Sequence, residues 1–227
     1  MRTDSEKASQ SSTTNEKPYT DCPLFVRQIP APISGLDALL ANQVYFYDDP
    51  LRFTDSVNKI CDELETRIEK RFGVAPKGTP RILLSGCPMD VPNWKLPWIV
   101  ESSGAVIVGE ESCVGERGTR NLTDDSGSSI DKLMEAIVDR YFETDCAIFT
   151  PNPDRLNHIV KMVKDYKADG VIHYGIQFCQ PYIIESMSVE KALEEMNIPC
   201  LRIETDYSME DVEQLTTRIE AFLEILK

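Results

Sequence analysis

The stretch GVIHYGIQFCQPYIIES, residues 170–186, decides how this chain folds. It opens with an apolar run that lacks the polar alternation of a half-exposed strand, which marks a strand buried on both faces. His173 lies inside that run and reads as a core histidine with satisfied hydrogen bonds. Cys179 follows, then Gln180 and Pro181, and a helix-like pattern takes over. A buried strand that feeds a helix is one unit of a parallel sheet. Three readings of Cys179 are open at this point: a core residue, a thiol nucleophile, or one ligand of a metal cluster.

The same unit recurs on either side. RILLSG (81–86), AVIVGE (105–110), CAIFT (146–150) and CLRIE (200–204) read as further strands. Amphipathic helices are expected over 129–142, 153–168, about 184–196 and 209–226. The fold class is therefore α/β: a doubly wound parallel sheet of four to five strands with flanking helices, plus an N-terminal helical extension. In that extension SGLDALLANQ forms a short helix after Ser34. A long helix follows, with Val57, Ile60, Cys61, Leu64, Ile68 and Phe72 on one face and Gly73 at its end. Residues 1–20 are polar and read as a disordered leader, and 21–78 as a helical extension or remnant of a preceding domain. GVAPKGTP marks the boundary, and 79–227 form the α/β domain.

Composition narrows the function. The chain has 227 residues, is 41% hydrophobic and carries a net charge of −14. That acidity argues against nucleic acid or an anionic membrane as the main partner. No stretch approaches the roughly 20 apolar residues of a membrane span. No basic segment precedes an apolar run, so the expected location is cytoplasmic. The seven cysteines, at 22, 61, 87, 113, 146, 179 and 200, are odd in number and widely spaced, unlike a secreted disulfide framework. Only two histidines are present, which weakens a zinc site or a Cys/His nucleophile. There is no C-x-x-C for a disulfide oxidoreductase. There is also no glycine-rich phosphate loop with which the chain itself would hydrolyse ATP.

In open parallel sheets, function collects at the carboxyl ends of the strands. Cys87 follows RILLSG, Cys113 lies beyond AVIVGE in the loop ESCVGERG, and Cys179 lies beyond GVIHYG, so all three occupy one rim. Cys146 begins or precedes CAIFT. Thiolates gathered with almost no histidine suit an iron–sulfur cluster better than zinc. Spacing alone leaves the core reading open beside it. Cys61 and Cys200 read as core residues, and Cys22 is uninformative. Glu111, Glu116, Arg117 and Arg120 form either an anion-binding loop or a solvated one. Trp94 and Trp98, at i and i+4, read as helix packing. Glu204, Asp206 and Tyr207 suit acid–base work, with Asp206 or Ser208 as a cap of the last helix as the alternative.

The segments FYDDPLRF, APKGTPRILLSGCPMDVPNWKL, IVESSGAVIVGEESCVGERGTR, TPNPDRL, ADGVIHYGIQFCQPYIIES and IPCLRIETDYSMEDVEQLTTRIEAFLE resemble the carboxyl-terminal domain of the 2-hydroxyacyl-CoA dehydratase / benzoyl-CoA reductase family. PNWKL looks most like its double-cubane-cluster anaerobic reductase branch. The resemblance runs from about residue 35 to the end. It implies two similar α/β domains with iron–sulfur clusters bound between them, [4Fe-4S] or part of a double cubane. It also implies low-potential electrons from an ATP-hydrolysing iron–sulfur activator protein, used to reduce or dehydrate a small substrate. Carried over by position, Cys113 and Cys179 match the cluster cysteines best. Cys146 matches the first cysteine of a Cys-x-Cys element, and Cys87 a position that is variably cysteine. The metal ligands expected are thus Cys113, Cys179 and Cys146, with Cys87 as a further cofactor-binding residue. The sequence departs from the pattern at Ile148, which replaces the second cysteine of Cys-x-Cys, and at Gln180, where histidine is frequent. The amino-terminal domain with its ligands is missing. The resemblance therefore implies an iron–sulfur subunit or fragment working with a second subunit or as a homodimer. The alternative is a cluster-free, degenerate scaffold or binding domain that pairs with a full-length relative.

Overall fold

The computed structural model describes residues 27–226. The expected leader over 1–20 and the reading of Cys22 lie outside the described residues. Four parallel strands form one sheet: β1 (Arg81–Gly86), β2 (Val106–Glu110), β3 (Gly170–Ile176) and β4 (Cys200–Thr205), in the order β2-β1-β3-β4. β1, β2 and the first six residues of β3 are buried throughout, as their unbroken apolar runs require. The chain leaves β1 for one side of the sheet and returns on the other. The switch point therefore falls between β1 and β3.

Among the described residues seven α-helices accompany the sheet: α1 (Gly35–Val44), α2 (Pro50–Glu69), α3 (Lys95–Ser102), α4 (Ile130–Phe142), α5 (Pro153–Asp165), α6 (Gln180–Glu194) and α7 (Val212–Ile225). The pleat divides the core in two. Leu83, Val106, Val108 and Val171 face one layer with residues of α1, α2, α5 and α6. Ile82, Leu84, Ile107, Ile172 and Ile203 face the other, with residues of α3 and α7. α1 and α2 are the N-terminal helical extension. Cys61 sits in the first layer as expected and is disulfide-bonded. Cys200 is partly buried against the same layer. Trp94 stands at the start of α3, but Trp98 is 54% exposed, so that pair is not a core element.

The run CAIFT, expected as a strand, is a turn, and the sheet has four strands. The reason is local. Asn152 Nδ2 donates to the carbonyls of both Asp145 (3.2 Å) and Cys146 (2.8 Å), occupying groups a strand would give to its neighbour. Ile148 and Phe149 are exposed rather than packed.

α1 serves the rim directly. Its buried Asn42 donates to the carbonyls of Val114 (2.9 Å) and Gly115 (2.7 Å), in the loop after β2. Buried Gln43 donates to Met89 O and accepts from Val91 N (3.2 Å), in the loop after β1. The extension is thus a brace for two loops that carry cysteines.

Gly86 ends β1 at φ +121°, and a Cβ placed there would lie 1.9 Å from the Tyr174 carbonyl oxygen. Only glycine allows β1 to run this close to β3 at the switch point. Gly86→Ala is expected to lower unfolding free energy by about 3 kcal/mol, read as a drop in denaturant midpoint at unchanged slope. An unchanged midpoint would show that the strand ends are not held together here.

Candidate functional site

The carboxyl rim brings the four expected cysteines together as two pairs. Cys87 and Cys179 meet at the switch point around Ile176. The Ile176 N–H donates to Cys87 Sγ at 3.4 Å, and the Ile176 carbonyl accepts from the Cys179 N–H at 2.9 Å. Cys87 is 1% exposed, and burial, together with the adjoining Cys179 thiol, pushes its thiol up to about 12. Cys179 is half-buried and forms the N-cap of α6. Phe178 before it adopts φ +71° and is 81% exposed, an uncommon backbone conformation for a bulky side chain.

Cys113 and Cys146 form the second pair, set in place by charge. Asp145, next to Cys146, is bound by Arg117 (3.2 Å) and Arg120 (2.7 Å) of the loop that bears Cys113. Cys113 is exposed as a residue. Burial of its sulfur end and the neighbouring Glu110 still raise its thiol pKa against the pull of Arg117. Tyr182, in the first turn of α6, links the pairs. Its hydroxyl accepts from Arg117 Nη1 at 3.2 Å and lies 4.0 Å from Cys146 Sγ, and its ring stacks on the Arg155 guanidinium with 5.1 Å to the centroid.

Beneath the thiols lies a buried ion cluster. Glu111 has 0% exposure and is held by Arg117 and by both Arg155 Nε (3.0 Å) and Nη2 (2.8 Å). Arg155 also binds Glu185 and Ser85 Oγ (3.2 Å). Burial alone would raise the Glu111 pKa, but the two guanidinium groups overcome it and hold it down to about 2. The charges of the loop 111–120 are largely buried and held inside the protein: Arg117 pairs with Glu111 and Asp145, Arg120 with Asp145, and Glu116 accepts from the Tyr166 hydroxyl. His173 is the core histidine expected, with Nε2 3.1 Å from Tyr182 O and Nδ1 3.4 Å from Ser85 Oγ. Asp206 accepts from Ser208 N at 2.8 Å, forming a turn, while Asp211 is the N-cap of α7.

Arg155, Tyr182 and Glu185 escaped sequence reasoning, as did Lys95. The Lys95 ammonium is buried and donates to Thr205, Asp206 O, Ser208 O and Asp211, fastening the end of β4 to α3. A signal existed for two of them. Arg155 shares a helical stripe with Ile159 and Met162, and Tyr182 shares one with Ser186 and Val189, positions that point to the core.

α4 differs from every other helix of the fold. None of its residues is buried, although it carries Ile130, Met134, Ile137, Tyr141 and Phe142. Tyr141 is 66% and Phe142 86% exposed. A cavity of about 670 Å³ opens between α4, the α1–α2 junction and the Cys113 loop, lined by Tyr45, Phe53, Cys113, Leu122, Ile137 and Tyr141.

The donors suit iron in kind, being thiols beside buried cationic groups with a histidine that is turned inward. They do not suit it in number at any one point. Among the described residues no group of three or more potential ligand side chains surrounds a common position. No helix among the described residues is long and apolar enough to cross a membrane.

Comparison with known proteins accords with this rim-centred α/β architecture. Residues 12–226 match the family model described as 2-hydroxyglutaryl-CoA dehydratase, D-component. The chain belongs to that family. Relatives include a protein named as dehydratase subunit YjiM of Escherichia coli (strain K12), 34% identical over 87% of this chain and 50% of its own length. The (R)-phenyllactyl-CoA dehydratase beta subunit of Clostridium sporogenes is 30% identical over 97% of this chain and 56% of its own. A benzoyl-CoA reductase subunit of Thauera aromatica is 24% identical over 52% of this chain and 31% of its own. The chain thus spans about half the length of the curated relatives it matches.

Two outcomes test the buried cluster. Arg155→Met leaves Glu111 partly unpaired in the interior and is expected to cost about 3–5 kcal/mol of stability by denaturant unfolding. A loss below about 1 kcal/mol would show that the ion cluster does not carry the rim. Burial also pushes the His173 imidazole down to about 4 from its ordinary 6.5. Between those values the unfolded chain holds a proton that the folded chain lacks. The contribution of His173 to stability therefore falls as pH drops from about 6.5 to about 4, by about 3 kcal/mol, while buried Glu110, raised to about 7, contributes in the opposite direction. His173→Gln should flatten that slope; an unchanged slope would contradict a neutral buried imidazole.

Proposed function

We propose that this chain is an iron–sulfur-binding part of a 2-hydroxyacyl-CoA dehydratase-like or double-cubane-type reductase. In this reading Cys113, Cys146 and Cys179 serve as metal ligands and Cys87 as a supporting thiol. The observation that carries it is the meeting of four thiols from separate loops as two adjacent pairs on one rim, with both histidines absent from the set. When bound, the group supplies one-electron chemistry at low potential. Family membership adds an ATP-hydrolysing activator protein as the proposed electron donor, and a cytoplasmic location is proposed with it.

The chain's own residues have definable tasks in this reading. Glu111, Arg117 and Arg155 hold the loops rigid by charge pairing. Arg117 donates to the Tyr182 hydroxyl, which faces the Cys146 sulfur, and a hydroxyl so placed is the kind of donor that favours a sulfur ligand in its anionic form. Gly86 lets the backbone of β1 approach β3 closely enough to present Cys87. Substrate and final electron acceptor belong to the complete assembly.

The ligand count and the bare face of α4 point the same way. We propose that the half of a family-length chain absent from this sequence packs on α4, covers the cavity at Cys113 and adds the remaining ligands. The occupant follows from the coverage of the relatives and from the continuity of the cavity with the Cys113 thiol. The absence of a three-ligand group among the described residues favours the cluster-free scaffold as the second reading, and the same experiments separate the two.

Prepared without oxygen together with the unmatched half of a family-length relative, the chain is expected to hold about four iron and four acid-labile sulfide per cluster. Cys113→Ser and Cys179→Ser should each lose most of that iron while folding normally. Iron-free protein after anaerobic reconstitution would contradict the proposal and leave the scaffold reading. For docking, the chain co-produced with the unmatched part of the C. sporogenes subunit should purify as a one-to-one pair. Ile137→Glu with Tyr141→Glu should abolish pairing and shift the chain's own stability by less than about 0.5 kcal/mol, since neither residue is buried. Pairing undiminished by both changes would reject α4 as the face.

A further inference from the structure

The contact between Cys87 and Cys179 has a chemical consequence that needs no metal. Both are free thiols, set on either side of Ile176 and close enough for each to act on the other electrostatically. They are held there from both sides of one residue, since Ile176 donates its N–H to the Cys87 sulfur and accepts the Cys179 N–H. Backbone bonds fix the approach: Cys87 N donates to Tyr174 O at 2.8 Å, and Gly86 permits the strand contact that this requires. The two thiols also differ in access, as Cys87 is 1% exposed and Cys179 is half-buried at the surface end. The second pair lacks this arrangement, because the Tyr182 hydroxyl faces the Cys146 sulfur.

We propose that Cys87 and Cys179 are a redox modification site that closes to an intrachain disulfide when the protein meets a peroxide. Cys179, the accessible thiol, reacts first: its sulfur takes one oxygen from hydrogen peroxide, the O–O bond breaks, and water leaves as the sulfenic acid forms. The Cys87 sulfur then attacks the Cys179 sulfur, the S–S bond forms, the S–O bond breaks and a second water leaves. In total two thiols and one hydrogen peroxide give one disulfide and two waters, with two electrons passing to the peroxide. Cys87, 1% exposed, is sheltered from direct oxidation and so acts as the resolving thiol, its proton leaving with the hydroxyl as water. The bond would tie the ends of β1 and β3 together across the switch point and withdraw Cys179 from any metal. Iron binding and disulfide formation then exclude one another on this sulfur, although the disulfide does not depend on the iron reading.

The test uses the unaltered 227-residue chain, reduced with dithiothreitol and freed of it. It is treated with hydrogen peroxide, denatured in iodoacetamide, digested and mapped by mass. The expected result is a cross-linked pair of peptides bearing Cys87 and Cys179, loss of alkylation at both, and recovery of both on reduction. In Cys87→Ser the resolving sulfur is gone, so Cys179 is expected to accumulate as sulfinic acid. Full alkylation of both cysteines after peroxide would overturn the proposal, as would Cys179 joined to Cys113 or Cys146, or sulfinic acid on Cys179 of the unaltered chain with Cys87 still free. Iron content measured on a separate anaerobic sample keeps the two questions apart, since a chain that binds no iron but forms the bond refutes only the metal reading.

Discussion

The rim of this protein depends on a carboxylate sealed between two guanidinium groups. Glu111 is wholly buried at the end of β2, and an isolated carboxylate there would be driven to take up a proton. Arg117 and Arg155 keep it charged, and each reaches further from that anchor. Arg117 draws in Asp145 and with it Cys146. Arg155 holds Glu185 and stacks under Tyr182, which fixes the start of α6 and with it Cys179. One ion cluster thus sets the positions of loops that are far apart in sequence. Removing any member strands the others in a low-dielectric interior, so the arrangement is rigid.

The rest of the fold supports that arrangement from outside. α1, which precedes the sheet in sequence, sends Asn42 and Gln43 into the loops after β2 and β1. Lys95 ties down the end of β4. Among the described residues only α4 stands apart: none of its residues is buried, and Arg140 alone among its side chains hydrogen-bonds back to the Cys113 loop and its continuation, through the carbonyls of Gly118 and Asn121. A helix of that composition has little reason to remain helical in water without a partner, since packing of an apolar face supplies most helical stability. Its neighbourhood is also where Cys113 opens to the outside, which joins the question of ligands to the question of partners.

Much of the fold could be read from residues alone because the strands are buried on both faces, and RILLSG and GVIHYG have no other use for an unbroken apolar run. CAIFT has the same composition but stands beside Asp145, whose charge is claimed by Arg117 and Arg120, and before Asn152, whose amide takes the strand's carbonyls. Side-chain claims of this kind leave no periodic trace. The thiol positions followed from strand ends. Their grouping into pairs did not, because it is set by Arg117, Tyr182 and Ile176 acting across the rim. Arginine on a helix such as α5 is ordinarily solvated, which hid Arg155 even though its place in the apolar stripe marked it as buried.

Family membership and the chemistry of sulfur thus meet at one rim. X-ray absorption at the iron edge, on anaerobic protein assembled with the unmatched half of a family-length relative, tests the proposed thiolate ligation most directly. A first shell made of sulfur, which gives way in part to oxygen in the Cys113→Ser and Cys179→Ser proteins, is the predicted result. A shell of oxygen and nitrogen, indifferent to both changes, would contradict it.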